Sequence, residues 1–356
     1  MNVGRQAVGF IERLLGQRLS SNAAQGMVSQ DAQAVEGYYE QKAPPEPATE
    51  ACILVAQADG KGVPLVREEA AAAKVRLGKG EKRMKKKESI VTSLYTIEAT
   101  PRSPEAVVAS FFHAEESPSA QEAPQPHRPV NKQLWATLDG KDSALQRLAH
   151  QVNQRDGNHI LHRVALADGC EALQTRMMNA LPGFTLVLDF IHANEYLWKV
   201  ANKLFGEQGT QRAPWVEKQT RQILSGSTQA VIDELRRLRS LSRRTNSQIE
   251  TLDTTANYFE RNLPYMRYDH YLAQGWPIGT GVIEGTCRHL VKDRMEQSGM
   301  RWTQPGAQAV LDLRAVRING DWDDYQRFHR GRQHHRLYGV HSVVPLAEET
   351  ILEQAA

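Results

Sequence analysis

Cysteine is scarce: Cys52, Cys170 and Cys287 are the three in 356 residues, far apart and without a CxxC pairing. That excludes a disulfide framework and a cysteine-rich zinc site, and all three read as small buried or half-buried residues. Long hydrophobic runs are missing too. No stretch approaches about 18 uninterrupted apolar residues, and the opening MNVGRQAVGFIERLLGQRLS has charges spaced through it, so neither a membrane span nor an export signal is expected. A strong net charge is also absent, at +3 overall. What remains is an ordinary globular composition, 40% hydrophobic and 24% charged, with enough apolar mass for a real core in the cytoplasm. The length suits two or three domains, or one catalytic domain with a large insertion.

The charge that is present is unevenly spread. The segment 74–87 carries Lys74, Arg76, Lys79, Lys82, Arg83, Lys85, Lys86 and Lys87 against the single acid Glu81. Two readings stand: a solvated loop, or an arm that gains affinity for phosphates by releasing DNA counterions.

Residues 1–40 read as a helical lead-in with apolar positions at helical spacing, and the Ser20-Ser21 pair is available to cap a second helix. It is either the remnant of a DNA-binding region or a generic helical hairpin. The Pro- and Glu-rich 41–50 reads as a linker. The pattern then turns to short strands, at 51–56 ending at Asp59-Gly60 and at 89–97, with the basic segment 74–87 as the loop of their hairpin. Low-complexity sequence occupies 115–129. Helix, strand, helix, strand, helix follow over 143–152, 164–168, 171–181, 185–189 and 191–205, which implies parallel pairing. Strand signals vanish from 213 to 263, where charged helices with spaced leucines indicate an all-helical insertion. A Gly-rich hinge at 275–281 leads into a last helix, 282–297, with Glu284 in its first turn. The expected division is a core of 51–212 and 264–330 around an insertion of 213–263, with a partly mobile tail at 331–356.

Carboxylates at element boundaries carry the chemistry. Asp59 and Asp168 each follow an apolar strand and precede Gly, which places them at the strand ends where α/β proteins build sites. Glu284 adds an oxygen from a helix. Three oxygen ligands of this kind suit Mg²⁺, which keeps waters and substrate phosphate in its shell. Two such ions about 4 Å apart would stabilise the attacking and leaving oxygens of an in-line phosphoryl transfer. Asp-Gly pairs are also common turn formers.

The fuller strings Asp59-Gly-Lys-Gly-Val-Pro64, Leu166-Ala-Asp168-Gly169, Leu188-Asp-Phe-Ile-His192 with Glu195-Tyr-Leu-Trp198, and Gly279-Thr-Gly-Val-Ile-Glu284 followed by 292–302 occur in order. In these the chain resembles the ISKra-type bacterial insertion-sequence transposases from about residue 30 to 330. The resemblance implies a DDE transposase: an α/β, RNase H-like mixed sheet flanked by helices, with an all-helical insertion before the final catalytic helix. It matches Asp59, Asp168 and Glu284 to the metal-binding triad for two Mg²⁺ ions, with Mn²⁺ as a substitute. It matches Asp189 and His192 to the D-x-x-H signature shared with Mutator-like transposases. From the residues alone, Asp189 orients a metal or DNA, while His192 either contacts the scissile phosphate or caps and packs.

Transposon ends and target DNA are the partners implied, with a homo-oligomer assembled on DNA in the nucleoid and no membrane. The DNA contacts expected are Lys82, Arg83, Lys85, Lys86 and Lys87 from the basic loop, and Arg288, Lys292, Arg294, Arg301 and Trp302 around the last helix. Glu284, Arg288 and Lys292 are spaced to line one helix face, as a phosphate-contacting row or as an exposed ion pair. Trp302 either stacks on an extruded base or caps the core. Members of the resembled family usually carry a larger N-terminal DNA-binding region than the forty residues that precede the linker here. That leaves an active transposase beside two rivals: a truncated DNA-binding relic that represses transposition, and a nuclease that cuts without joining.

Overall fold

The computed structural model describes residues 12, 20–66, 86–113, 128–242, 244–297 and 299–339. Of the expected DNA contacts, Lys82, Arg83 and Lys85 lie outside them, as does most of the low-complexity segment.

Helix α1 (Ser21–Ala32) starts where the Ser20 hydroxyl accepts from Ala23 N at 3.0 Å. With α2 (Val35–Gln41) it packs onto the body: Tyr38 and Tyr39 are buried edge-on against Tyr325 and Trp135. The 41–50 segment is not a free linker. Lys42 pairs with Asp321 at 2.5 Å and Glu50 is enclosed, because ionic partners hold down a segment whose composition alone suggests a spacer.

Strands β1 (Ile53–Pro64) and β2 (Lys86–Ile97) form a long antiparallel hairpin, so 65–85 connects them as expected. The short helix α3 (Pro104–Phe112), capped by Ser103, and strand β3 (Val130–Thr137) flank the low-complexity segment and are additions to the expected elements. Then come α4 (Lys141–Arg155), β4 (His162–Ala167), α5 (Glu171–Ala180), β5 (Thr185–Leu188) and α6 (Phe190–Phe205), close to their expected places. The sheet order is β3-β2-β1-β4-β5, with only β2 antiparallel to the rest. This mixed sheet flanked by helices is an α/β fold of RNase H-like arrangement.

The strand alternation decides what each face carries. Ile53, Val55, Val164, Leu166 and Val187 pack under α6, whereas Leu54, Ala56, Ala165 and Leu186 pack under α4 and α5. At the start of β1 one buried ion pair locks the sheet. Arg155 donates Nε to Glu50 Oε1 at 2.7 Å and Nη2 to Oε2 at 2.9 Å, both side chains being 1% exposed. Thr96 and Asn131 donate to the same carboxylate. Burial by itself raises the Glu50 carboxyl; these hydrogen bonds and the Arg155 charge outweigh it and hold the group below its ordinary range.

The region after α6 is helical throughout: α7 (Arg212–Leu224), α8 (Thr228–Ser240) and α9 (Asn246–Asn262), the last opened by a Thr245/Gln248 capping box. Its apolar faces join the α6 side of the core through Val216, Ile223, Leu235 and Phe259. After α10 (Tyr268–Ala273), the chain reaches α11 (Gly281–Thr286), a π-helix (Cys287–Lys292) and α12 (Asp293–Met295), where one continuous α-helix was expected. In the π turn the Asp293 N–H reaches the Arg288 carbonyl five residues back. The Arg314 guanidinium donates to the carbonyls of His289 and Leu290, supplying donors where the α ladder is broken. Helices α13 (Gln304–Ile318) and α14 (Trp322–Tyr338) close the fold. The tail is therefore helical as far as Tyr338, because Tyr325 and His329 anchor its buried side. Among the described residues no helix is long and apolar enough to cross a membrane.

Candidate active site

The parallel registers bring the acids together. Gln57 pairs with Leu166, and Leu166 with Val187. Two residues further along the three strands stand Asp59, Asp168 and Asp189, on one face because side chains alternate with period two. Neighbouring strands are about 4.8 Å apart. Asp168 lies just beyond β4 as expected, but Asp59 does not end its strand. It pairs with Val91 in the middle of β1, since the β1–β2 arm continues past the point where β4 stops. Relative to its parallel neighbour, Asp59 still sits at the C-terminal edge.

Asp59 is held by the Gly60 N–H at 2.7 Å on Oδ1 and by the Cys287 thiol at 3.2 Å on Oδ2. Burial raises its carboxyl above the ordinary range, and the charge of Asp168 adds to that; the two hydrogen bonds and His192 oppose it and do not prevail. The Cys287 thiol is pushed well above its usual range, chiefly by burial and then by Asp59, so it stays protonated and donates. Cys287 is buried and Cys52 half-buried as expected, but Cys170 is exposed, because it caps α5 with its backbone beside the site.

Asp168 accepts the Cys170 N–H on Oδ1 at 2.9 Å and turns Oδ2 to within 4.0 Å of His192 Nε2. The other imidazole nitrogen of His192 lies 3.8 Å from Asp189 Oδ2 and from Glu195 Oε2, enclosed and without a hydrogen-bond partner among the described residues. Glu284 stands exposed in the first turn of α11, its Oε1 3.1 Å from Thr280 Oγ1. Ligand atoms of Asp189, His192 and Glu284 all lie within 4.8 Å of one another.

Asp189 is held differently from the other carboxylates. It is fully buried and takes four donors: Ile191 N and Thr280 N on Oδ1, and His192 N and Thr280 Oγ1 on Oδ2. Two bonds per oxygen leave little room for another ligand. Asp189, expected to orient metal or DNA, is also the N-cap of α6 and a brace to the turn that carries Glu284. Thr280 bridges both acids, and together with Cys287 it is a site residue absent from the sequence-based expectations. The Gly-Thr-Gly turn preceding Glu284 was its only signal.

The residues present fit a hard cation. Among the described residues the side chains close enough to share an ion are Asp189, His192 and Glu284, with Asp168 4.0 Å from His192, and carboxylate oxygens with an imidazole match Mg²⁺ or Mn²⁺ chemistry. Burial raises the Asp59 carboxyl, and the His192 Nδ1 has no hydrogen-bond partner among the described residues.

The expected DNA-contacting residues divide. Arg288, Lys292 and Arg301 are exposed, Arg288 being 3.9 Å from Asp293, while Arg294 is half-buried. Lys86 pairs with Glu296 at 2.5 Å and Lys87 donates to Gln304 at 2.7 Å, which ties the root of the basic loop to the α12–α13 region. Trp302 does not present a free ring. Its indole N–H donates to Met295 O at 3.1 Å, its backbone bridges Pro64 and Val66, and its ring joins the core, so the capping alternative holds.

No family model and no curated protein matches the chain. Among solved structures the chain is similar to the Drosophila P element transposase strand transfer complex at 9% identity and a TM-score of 0.21, over 92% of this chain and 84% of that one. At that score the likeness carries no weight.

Proposed function

We propose that the chain is a metal-dependent phosphoryl-transfer enzyme acting on DNA, a DDE transposase of the ISKra type that cleaves and rejoins the strands of an insertion sequence. One observation carries the reading: Asp59 and Asp168 stand beside each other where parallel β1 and β4 meet, Asp168 Oδ2 lies 4.0 Å from His192 Nε2, and ligand atoms of His192, Asp189 and Glu284 lie within 4.8 Å of one another.

Asp59, Asp168 and Glu284 hold two Mg²⁺ ions, for which Mn²⁺ substitutes; Asp189 and Thr280 set the angle of Glu284. When bound, the ions supply the charge that stabilises the attacking and leaving oxygens of an in-line displacement. His192, 38% exposed with Nε2 toward Asp168, donates to a phosphate oxygen at the rim. Arg288, Lys292 and Arg301 contact backbone phosphates and set the register of the duplex. Lys82, Arg83 and Lys85 add counterion-releasing contacts, with Lys86 and Lys87 anchoring their loop. The functional unit is a homo-oligomer that pairs two transposon ends with target DNA.

The test uses the native DNA flanking the gene, inverted repeats included, with a supercoiled target. Cleaved ends and joined strand-transfer product in Mg²⁺ or Mn²⁺, absent in EDTA, are expected. Tight binding of the ends with neither product would identify a repressing relic, and cleavage without joining a nuclease.

A further inference from the structure

The turn that presents Asp168 is held from outside the sheet. Gly169 adopts φ +87, and a Cβ there would lie 2.6 Å from the Tyr258 hydroxyl, so glycine is needed for the helix α9 to approach this closely. Across that gap Tyr258 Oη donates to the Asp168 carbonyl at 3.0 Å, and Arg261 Nη2, one turn on, donates to the Gly169 carbonyl at 2.8 Å. Both carbonyls of the turn thus take their donors from the helical segment rather than from a strand ladder. The attachment is braced on two sides. The Tyr258 ring lies parallel to Tyr196 of α6 at 4.0 Å, four residues beyond His192, and Lys199 Nζ sits 4.2 Å over the Tyr196 ring. Buried Asn262 accepts from Gln174 of α5 at 2.9 Å and donates back to the Tyr258 carbonyl at 2.8 Å.

We infer that Tyr258 and Arg261 are positioning residues of the metal centre, so that the helical segment 212–262 is a working part of the active site and not an appended module. The inference rests on the metal-dependent reading above. With the backbone of Asp168 and Gly169 fixed from α9, and Oδ1 fixed by the Cys170 N–H, the free Oδ2 is held toward His192 and the centre. Removing either donor lets the turn move while leaving every proposed ligand in place, which lowers cation affinity before it affects the fold.

The test is Mn²⁺ binding to the full-length chain, read by electron paramagnetic resonance of the free ion, alongside Tm in EDTA. Tyr258→Phe keeps the ring stack and loses only the hydroxyl; Arg261→Gln loses the charged donor, and Arg261→Lys restores one. Tyr258→Phe and Arg261→Gln should each weaken Mn²⁺ binding by about 3- to 10-fold, as expected for one hydrogen bond. Arg261→Lys should recover most of the loss, and the Tm of Tyr258→Phe should stay within about 2 °C of the parent. Unchanged Mn²⁺ affinity in folded Tyr258→Phe and Arg261→Gln, with Tm lowered or not, overturns the inference alone. A parent protein whose Mn²⁺ binding is absent, or survives Asp168→Asn intact, overturns the metal reading and the inference with it.

Discussion

Two carboxylates stand along the same strand, one just before it and one in its middle, and they are built in opposite ways. Glu50, just before β1, has a bidentate guanidinium, a hydroxyl and an amide around it, and its carboxyl is held below the ordinary range. Asp59, inside β1 and past the end of β4, has a thiol and one backbone N–H for partners, another carboxylate as neighbour, and is raised. The Glu50 side chain is 1% exposed and Asp59 is half-buried; among the described residues only Glu50 has its charge matched by a guanidinium. The difference teaches how to separate architecture from chemistry: a matched buried acid is a fastening, and an unmatched one is a vote for a cation supplied from outside.

The contrast breaks most visibly in activity. Asp59→Asn, Asp168→Asn and Glu284→Gln should each reduce strand cleavage by on the order of 1000-fold or more, measured as single-turnover product on a gel with DNA binding retained. Glu50→Gln should leave the cleavage rate of the folded protein within about twofold. His192→Ala, which removes one positioned donor and no ligand of the triad, should cost roughly 10- to 1000-fold; a drop in Tm with normal cleavage by the folded fraction would make the residue structural.

Stability should respond the other way round. Breaking the buried pair by Glu50→Gln leaves Arg155 charged and enclosed, at a cost of about 3–5 kcal/mol in urea unfolding at pH 7. Asp59→Asn removes a crowded charge and should raise Tm in EDTA rather than lower it. The smallest effects are in the pH dependence, and their signs are opposed. Glu50 has a lowered folded pKa, so its contribution is present above its ordinary value near 4.5 and is lost as pH falls through the folded value. The deficit of Glu50→Gln should therefore shrink in acid. Asp59 has a raised folded pKa, so its stabilising contribution is complete below about 3.8 and is lost as pH rises through the folded value. The advantage of Asp59→Asn should grow from pH 3 toward neutrality. Parallel pH profiles for the two variants would remove the contrast.

Much of this was legible in the residues. Apolar runs with flanking caps gave away β1, β2, β4, β5 and the helices between them, because those elements bury regular faces. The position of Asp168 just beyond an apolar parallel strand was legible in the residues. Asp59 was misplaced within its strand, since Asp-Gly reads as a turn while the extension of β1 depends on pairing with a distant β2. Strand β3 escaped notice because its first half, Asn131, Lys132 and Gln133, lacks apolar positions. The helix α14 hid among polar residues with only Tyr325 and His329 fully inside. Nothing local announces a π turn, nor that Tyr258 and Arg261 reach a turn some ninety residues earlier, since both are long-range packing outcomes.

The central claim, that Asp59 and Asp168 bind a divalent cation, is tested most directly by the thermal unfolding of the full chain with and without millimolar Mn²⁺. A cation that binds only the folded site at 100 times its dissociation constant adds about 2.7 kcal/mol. Mn²⁺ should therefore raise the Tm of the parent and of Glu50→Gln by several degrees, and should leave that of Asp168→Asn unmoved. An equal rise in Asp168→Asn, or none in the parent, would contradict the account.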